Sequence, residues 1–347
     1  MKKARGADGI SGETLKYCKG NSRQVLKEIV RRVWRGEGVP RDWRKAIIVP
    51  ILKKGDVEDA RNYRGISVLC AAYKVYASVL NERLKNDLTE KEILPDTQAG
   101  FRKSRSTIDN VYIIQHIVQR EMEKKRGKVY AFFIDLKSAF DKVSRRDLWK
   151  SMKERGIRRG IVERIKELYE ETENVIRIGD KYTKTFWTEE GVRQGCTLSP
   201  VLFTLFMADL EEVLKKGQDG GMVVGDKKFW SLMYADDIVL IASKEEELKS
   251  MIIRLERYLD KRKLLLNVEK SKVLVFSKGG GGRRKTEWRW KDKVIEEVRD
   301  FNYLGITLTK CGSLKGLLKE RLKKANIVMR QIWGIAERKF KDDKKGE

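Results

Sequence analysis

The chain of 347 residues carries 77 Lys and Arg against 51 Asp and Glu, a formal net charge of +26 and a pI near 9.8. An excess this basic favours a polyanionic partner, nucleic acid ahead of an anionic membrane, and the apolar fraction of 41% is enough for a packed interior rather than wholesale disorder. The single histidine, His116, excludes a His-Glu-x-x-His site, a zinc finger or a zinc deaminase cluster, and leaves a Ser-His-Asp triad without a supporting motif.

Taken in chain order, residues 21–35 alternate as an amphipathic helix with Val25, Ile29 and Val33 on one side. Residues 46–52 read as a buried strand running into the basic turn Lys53-Lys54-Gly55-Asp56. Helices are expected over 69–84 and 107–122, where His116 shares a polar face with Tyr112, Gln119 and Arg120. The apolar run 129–134 is a strand ending at Asp135, with helices following near 145–155 and 160–171. Strands near 174–178 and 183–187 lead to a glycine-containing loop, 191–197, after which Ser199 as N-cap and Pro200 open an apolar helix. Two apolar strands then flank the polar tip of Tyr234-Ala235-Asp236-Asp237. An amphipathic helix near 244–262, a strand at 272–276 and a hairpin loop at Gly279 to Gly282 come next. Trp288 and Trp290 alternate with Arg289 and Lys291 as on a strand, where they pack a hairpin or stack on bases. A strand over Asn302 to Thr307 precedes a last helix capped by Ser313, with Leu314, Leu317, Leu318, Leu322, Ala325 and Val328 on one face. This irregular mixture predicts an α+β fold with subdomains.

Cys18, Cys70, Cys196 and Cys311 lie far apart and form no Cys-x-x-Cys, which suits a reducing compartment. No apolar run approaches ~18 residues, and the residues after Met1 lack the apolar stretch of a signal peptide. The expectation is an intracellular protein, nucleus or cytoplasm open, with no membrane contact; no protein partner can be deduced.

Asp135, Asp236 and Asp237 close apolar strands, which is where carboxylates could hold paired divalent cations for nucleotidyl transfer. Successive strand residues point to opposite faces, so Asp135 and Asp236 are expected to carry the metals, with Asp237 secondary. For Tyr-Ala-Asp-Asp alone, an ordinary hairpin tip is the competing reading, because Asp favours turns.

The ordered series Ala131-Phe132-Phe133-Ile134-Asp135-Leu136-Lys137-Ser138-Ala139-Phe140-Asp141, then Gly191-Val192-Arg193-Gln194-Gly195-Cys196-Thr197-Leu198-Ser199-Pro200, then Tyr234-Ala235-Asp236-Asp237, closely resembles motifs A, B and C of reverse transcriptases, best those of non-LTR (LINE-type) retrotransposons. Gly6 to Ile10, Asn62 to Ser67 and Gln98 to Thr107 resemble the family's N-terminal and fingers blocks; Leu266 to Ser271 and Phe301 to Gly305 resemble motifs D and E.

The resemblance implies a right-hand polymerase: fingers and N-terminal segment over 1–127, palm with some fingers insertions over 128–308, and a truncated thumb over 309–347 ending in a polar tail. It implies RNA-directed DNA synthesis, with an RNA template, a DNA primer and dNTPs as partners and two Mg²⁺ ions, or Mn²⁺ in their place. Phe140 would lie under the incoming sugar and clash with a 2′-hydroxyl. Gln194 and Gly195 would border the nucleotide, Arg64 and Lys53 would reach the triphosphate, and Lys270 would act as general acid. Arg102 and Arg105 would contact the template, and Tyr303, Leu304 and Gly305 would grip the primer. A solvated face is the competing reading for each basic residue, and a core aromatic the competing reading for Phe140. The alternatives are a non-catalytic RNA-binding remnant or scaffold, and an RNA-dependent RNA polymerase. Against the latter, Asp141 comes one residue later than the acid that would bind a 2′-hydroxyl. With no endonuclease and no C-terminal Cys/His motif visible, the chain is expected to be a fragment of an element's reading frame.

Overall fold

The computed structural model describes residues 4–53, 55–278, 286–313 and 315–340. Helices α1 (Gly12–Tyr17), α2 (Gly20–Arg35) and α3 (Arg41–Arg44) lead into β1 (Lys45–Leu52), which turns back as β2 (Tyr63–Val68). Then come α4 (Ala71–Glu90), α5 (Thr107–Glu123), β3 (Lys128–Ile134) and β4 (Leu136–Lys137). Helices α6 (Arg145–Glu154) and α7 (Arg159–Tyr169) precede β5 (Glu173–Ile178), β6 (Lys181–Tyr182) and β7 (Phe186–Trp187). Next are α8 (Ser199–Phe206), α9 (Leu210–Lys215) and the hairpins β8 (Met222–Val224)–β9 (Lys227–Phe229) and β10 (Ser231–Tyr234)–β11 (Asp237–Ala242). The chain continues through α10 (Glu245–Arg262), β12 (Leu265–Leu266), β13 (Lys272–Ser277), β14 (Trp288–Trp290) and β15 (Lys293–Val298). It closes with β16 (Asp300–Tyr303), β17 (Ile306–Thr309) and α11 (Lys315–Phe340).

Among the described residues two larger sheets organise the fold. One runs β2-β1-β5-β6, with β7 also on β5 and with β1 parallel to β5. The other runs β10-β11-β3-β13-β15-β14 and is antiparallel except between β13 and β15. In the second sheet both faces are covered, which is why β3 reads as an unbroken apolar run instead of alternating. Tyr130, Phe132 and Ile134 join the core with α8 and α10. Val129, Ala131 and Phe133 join a second core with α5 and the β16–β17 hairpin. Helix α5, started by a capping box between Ser106 and Asp109, therefore belongs by packing to this sheet. Among the described residues no helix is long and apolar enough to cross a membrane.

Several expectations are corrected. Asn302 to Thr307 is not one strand: Tyr303 pairs with Ile306 across a turn in which Leu304 (φ +49) and Gly305 (φ +79) are both left-handed. Ser199 is not the N-cap of α8; Leu198 holds that position, and the buried Ser199 Oγ donates to the Arg193 carbonyl at 2.7 Å. Of the strand expected at 183–187 only β7 (Phe186–Trp187) forms, while β6 (Lys181–Tyr182) precedes that range; both pair with β5. Helix α4 runs six residues past Leu84, because Leu88 stays buried on the same core. The face predicted for the last helix is solvent-exposed at Leu322 and Val328. The hairpin loop expected at Gly279 to Gly282 lies outside the described residues.

Candidate active site

Asp135 is the residue after β3, and Ile134 pairs with Ile238, so the antiparallel register carries Asp135 opposite Asp237. Its position is held from the segment between β12 and β13. The Asn267 backbone N–H donates to the Asp135 carbonyl at 2.8 Å, and Asn267 Nδ2 donates to Asp135 Oδ2 at 2.9 Å. The Asp135 N–H donates to Ser271 Oγ at 3.0 Å.

On the facing hairpin, Tyr234 pairs with Asp237, so the turn is Ala235-Asp236, with Ala235 left-handed at φ +58. This rotation resolves the alternation problem: Asp236 is a turn residue, half-buried, while Asp237 starts β11 and stays exposed. Burial raises the Asp236 carboxyl above the ordinary carboxylate range; Arg64 opposes the shift and Asp135 adds to it. Although Asp237 keeps part of its surface in solvent, the protein packed around its carboxyl desolvates it and, with the charges of Asp236 and Asp135, pushes it up to about 6. Asp135 and Asp236 thus bear on Asp237, Asp135 bears on Asp236, and Arg64 is the cation that acts on Asp236. Among the described residues no three such side chains are already closed into a metal cage. Yet the donor set is all hard oxygen, and its mutual repulsion is what a divalent cation would relieve, so the residues fit Mg²⁺.

The chain leaving Asp135 and the loop before α8 are stitched together. Gly191 N–H donates to the Val143 carbonyl and Val192 N–H to the Phe140 carbonyl, both at 2.8 Å. Gly191 (φ +81) admits no side chain, because a Cβ would lie 2.8 Å from the Asp141 carbonyl oxygen. Phe140 is half-buried and stacks on Phe203, centroids 4.9 Å apart, packed against the core with part of its ring exposed. Gln194 Nε2 donates to Asp141 Oδ1 at 2.8 Å, and the Gln194 carbonyl accepts from Ser67 N–H at 2.7 Å. Gly195 (φ +112) passes so near β2 that a Cβ would meet the Ser67 carbonyl oxygen at 2.7 Å. Arg64 lies on β2 opposite Ile51, and Lys53 follows the adjoining end of β1; both are exposed. Lys270 is exposed in the turn before β13, its N–H donating to the Asn267 carbonyl.

The remaining expectations divide. Arg102 is half-buried and turns part of its guanidinium inward: Nη1 donates to the Pro95 carbonyl at 2.9 Å and the Gln98 carbonyl at 3.3 Å, and burial lowers its pKa. Arg105 is exposed and lies 3.8 Å from Asp96. The Tyr303 side chain is turned into the core, accepting from Asn110 Nδ2 at 3.3 Å and packing on Phe133, and burial pushes its phenol up. Only Leu304 and Gly305 remain at that hairpin's tip. Trp288 and Trp290 are buried, so they pack rather than stack on bases.

Sequence reasoning missed four supports. Arg193 is buried, donates to the carbonyls of Trp43 and Arg44, and lies over the Tyr73 ring. Arg145 donates to the carbonyls of Gly191, Tyr169 and Thr188. Asn267 orients Asp135, and Gln98 contacts the Asp236 turn. Arg193, Gln98 and Asn267 lie outside the regular helices and strands and Arg145 opens α6, positions where no periodicity marks burial.

A family model described as reverse transcriptase (RNA-dependent DNA polymerase) matches residues 51–308. The chain is 27% identical, over 98% of its length and 37% of the relative's, to a probable RNA-directed DNA polymerase from transposon BS of Drosophila melanogaster. It is also 27% identical to a Pol polyprotein of the type-1 retrotransposable element R2 of Popillia japonica, covering 87% of this chain and 42% of that one. To the RNA-directed DNA polymerase of the mobile element jockey of Drosophila melanogaster it is 25% identical, covering 89% and 33%. The chain thus spans less than half the length of each of these relatives. Among solved structures, apo telomerase from Candida tropicalis, truncated from its C-terminal domain, superposes with a TM-score of 0.55 at 14% identity. That match covers 83% of this chain and 59% of that one, a likeness of fold.

Proposed function

Because the chain belongs to the reverse transcriptase family, whose model covers residues 51–308, we propose that it copies an RNA template into DNA, adding dNTPs to a DNA primer by two-metal nucleotidyl transfer. The observation that carries this reading is the convergence of Asp135, Asp236 and Asp237 on facing strand ends, with the Asp236 and Asp237 carboxyls raised and Arg64 acting on Asp236. A scaffold has no use for such a cluster, which disfavours its own charge. Asp135, Asp236 and Asp237 would hold two Mg²⁺ ions, with Mn²⁺ as substitute, supplying charge neutralisation at the triphosphate and activation of the primer hydroxyl.

The rest of the reading concerns the chain's own groups. Arg64 and Lys53, at one end of the β1–β2 hairpin, bind the triphosphate; Arg suits this through its planar fork. Phe140, backed by Phe203, cannot yield to a 2′-hydroxyl, so dNTPs are selected over rNTPs. Gln194, oriented by Asp141, and Gly195 border the nucleotide. Lys270 donates a proton to the departing pyrophosphate. Arg105 and the tip at Leu304-Gly305 touch template and primer, whereas Arg102 and Tyr303 act by holding loop and core. The β1–β2–β5 sheet serves as fingers, the six-stranded sheet with α5 as palm, and α11 as the start of the thumb.

Primer extension on an RNA template, with dNTPs or rNTPs and Asp236→Ala alongside, tests the reading. Extension with dNTPs that Asp236→Ala abolishes is expected. Incorporation of rNTPs alone would mark an RNA polymerase. RNA binding with no extension, or extension untouched by the substitution, would mark a non-catalytic remnant.

A further inference from the structure

We propose that Gln98 is a positioning residue for Asp236, holding the turn of the carboxylate hairpin from outside it. The inference rests on the polymerase reading of that hairpin. The turn needs a hold, because Ala235 sits at φ +58, a conformation that a Cβ disfavours and that glycine would adopt freely. Gln98 supplies one: its Oε1 accepts from the Ala235 N–H at 3.2 Å and from the Gly100 N–H at 2.8 Å. Two N–H donors converging on one side-chain atom require that atom to be the amide oxygen. The other amide atom, Nε2, is buried with no partner among the described residues, so the oxygen is what the site uses. Gln98 itself is 1% exposed.

The backbone around Gln98 is built for this contact. Strand β10 is the edge of the six-stranded sheet, and residues 97–99, in the loop ahead of α5, cover it by a parallel bridge between Gln98 and Met233. Met233 N–H donates to the Thr97 carbonyl at 2.8 Å, and Ala99 N–H donates to the Met233 carbonyl at 2.9 Å. Gly100 then passes so close to the turn that a Cβ would lie 2.5 Å from the Ala235 nitrogen. The Phe101 ring meets Tyr234, centroids 6.3 Å apart, and Arg102 pins the loop through the carbonyls of Pro95 and Gln98. The segment that resembles a fingers block thus works, at its first residues, as a brace on the carboxylates. Losing the acceptor leaves Ala235 free to depart from the left-handed region, and Asp236, the next residue, moves with it. A displacement of about 1 Å at a reacting centre costs on the order of 100-fold in rate.

The test compares the full chain as wild type, Gln98→Met and Gln98→Glu in two measurements. One is steady-state addition of dTTP to a primer on an RNA template with Mg²⁺. The other is backbone amide exchange across residues 128–134 and 233–238, without metal or nucleic acid. Gln98→Met, of equal length but with no acceptor, is expected to lose about tenfold or more in kcat, with KM for dTTP within about twofold. Its exchange should quicken at 234–237 alone. Gln98→Glu keeps an acceptor for both N–H groups but puts an acid in a buried position near the carboxylates, so relative to wild type its protection should be recovered as pH falls and it protonates, and lost as pH rises. Unchanged protection in Gln98→Met would overturn the proposal. So would Gln98→Glu no better protected at low pH than Gln98→Met, or exchange quickened equally across β3, which would mark a folding role alone. A wild type that adds no nucleotide would sink the polymerase reading, and the exchange measurement would still judge Gln98.

Discussion

At the residue scale, the site places carboxylates where they do not help the fold. Asp236 is raised by burial and by Asp135, and Asp237 by burial and by the charges of Asp236 and Asp135, a local conflict of the kind kept for chemistry rather than stability. Asp135 differs in having a neutral amide beside it, and that amide carries a prediction. Asn267 Nδ2 lies 2.9 Å from Asp135 Oδ2, and its backbone N–H holds the same residue's carbonyl. Asn267→Ala removes the first contact and leaves the second, so the strand end keeps its place while the carboxylate can rotate. A hydrogen bond to a charged group is worth about 1.5–3 kcal/mol, and about 1.4 kcal/mol is tenfold in rate. The variant should therefore lose roughly tenfold to a hundredfold in kcat for dNTP addition, with KM changed little. An unchanged kcat would show that the backbone clamp and Ser271 suffice to orient Asp135.

At the element scale, the joint between α9 and the carboxylate hairpin is a single buried side chain. Glu211, 1% exposed, accepts from the Trp230 N–H at 3.3 Å and from Ser231 Oγ, at the start of β10. Burial raises its pKa; the Ser231 hydroxyl, the Trp230 N–H and Lys215 oppose the shift. An acid whose folded pKa is raised binds its proton more tightly in the folded state, so its contribution is greatest below the unfolded value, about 4.3. That contribution falls as pH climbs from there through the raised value. Glu211→Gln keeps an acceptor for both donors and never ionises. Melting curves should coincide for the two proteins near pH 4 and separate above it, with the variant the more stable at pH 8 by about 2–4 °C for each kcal/mol relieved. A variant less stable at pH 8 would show that the ionised form is the one the fold uses. The same joint shows what was legible beforehand. Hydrophobic periodicity gave β1, β3, α5, α10 and β13 to within a residue or two, and the order of the acidic and glycine motifs gave the site's carboxylates. The buried polar residues that hold those elements together were not legible. Glu211, Arg193, Arg145, Gln98 and Asn267 have the composition of solvent-facing positions, and only the tertiary packing encloses them. The hairpin of β16 and β17 was missed for a related reason: Leu304 occupies a left-handed position where Asn or Gly would have announced a turn.

At the scale of the whole molecule, the excess of 26 positive charges does not say which cations meet a nucleic acid, and the two arginines of one loop separate the cases. Arg105 is exposed and lies 3.8 Å from Asp96, a carboxylate with which Lys227 already pairs. Arg102, three residues earlier, is half-buried and gives its donors to the carbonyls of Pro95 and Gln98. Binding to single-stranded RNA should weaken with salt at a log–log slope of about −0.7 per phosphate neutralised; six phosphates give a slope near −4 and about a 300-fold loss between 50 and 200 mM. A cation on the binding surface contributes to that slope, whereas a cation inside a loop contributes to the loop. Arg105→Ala should therefore make the slope shallower by about 0.7 and leave the melting temperature alone. Arg102→Ala should leave the slope alone, lower the melting temperature, and loosen the brace that Gln98 sets against the Asp236 turn. Titrations of the three proteins with one labelled RNA at four salt concentrations would decide it. Equal changes of slope in both variants would mean that Arg102 swings out to meet the strand and that the loop seals only when RNA is absent.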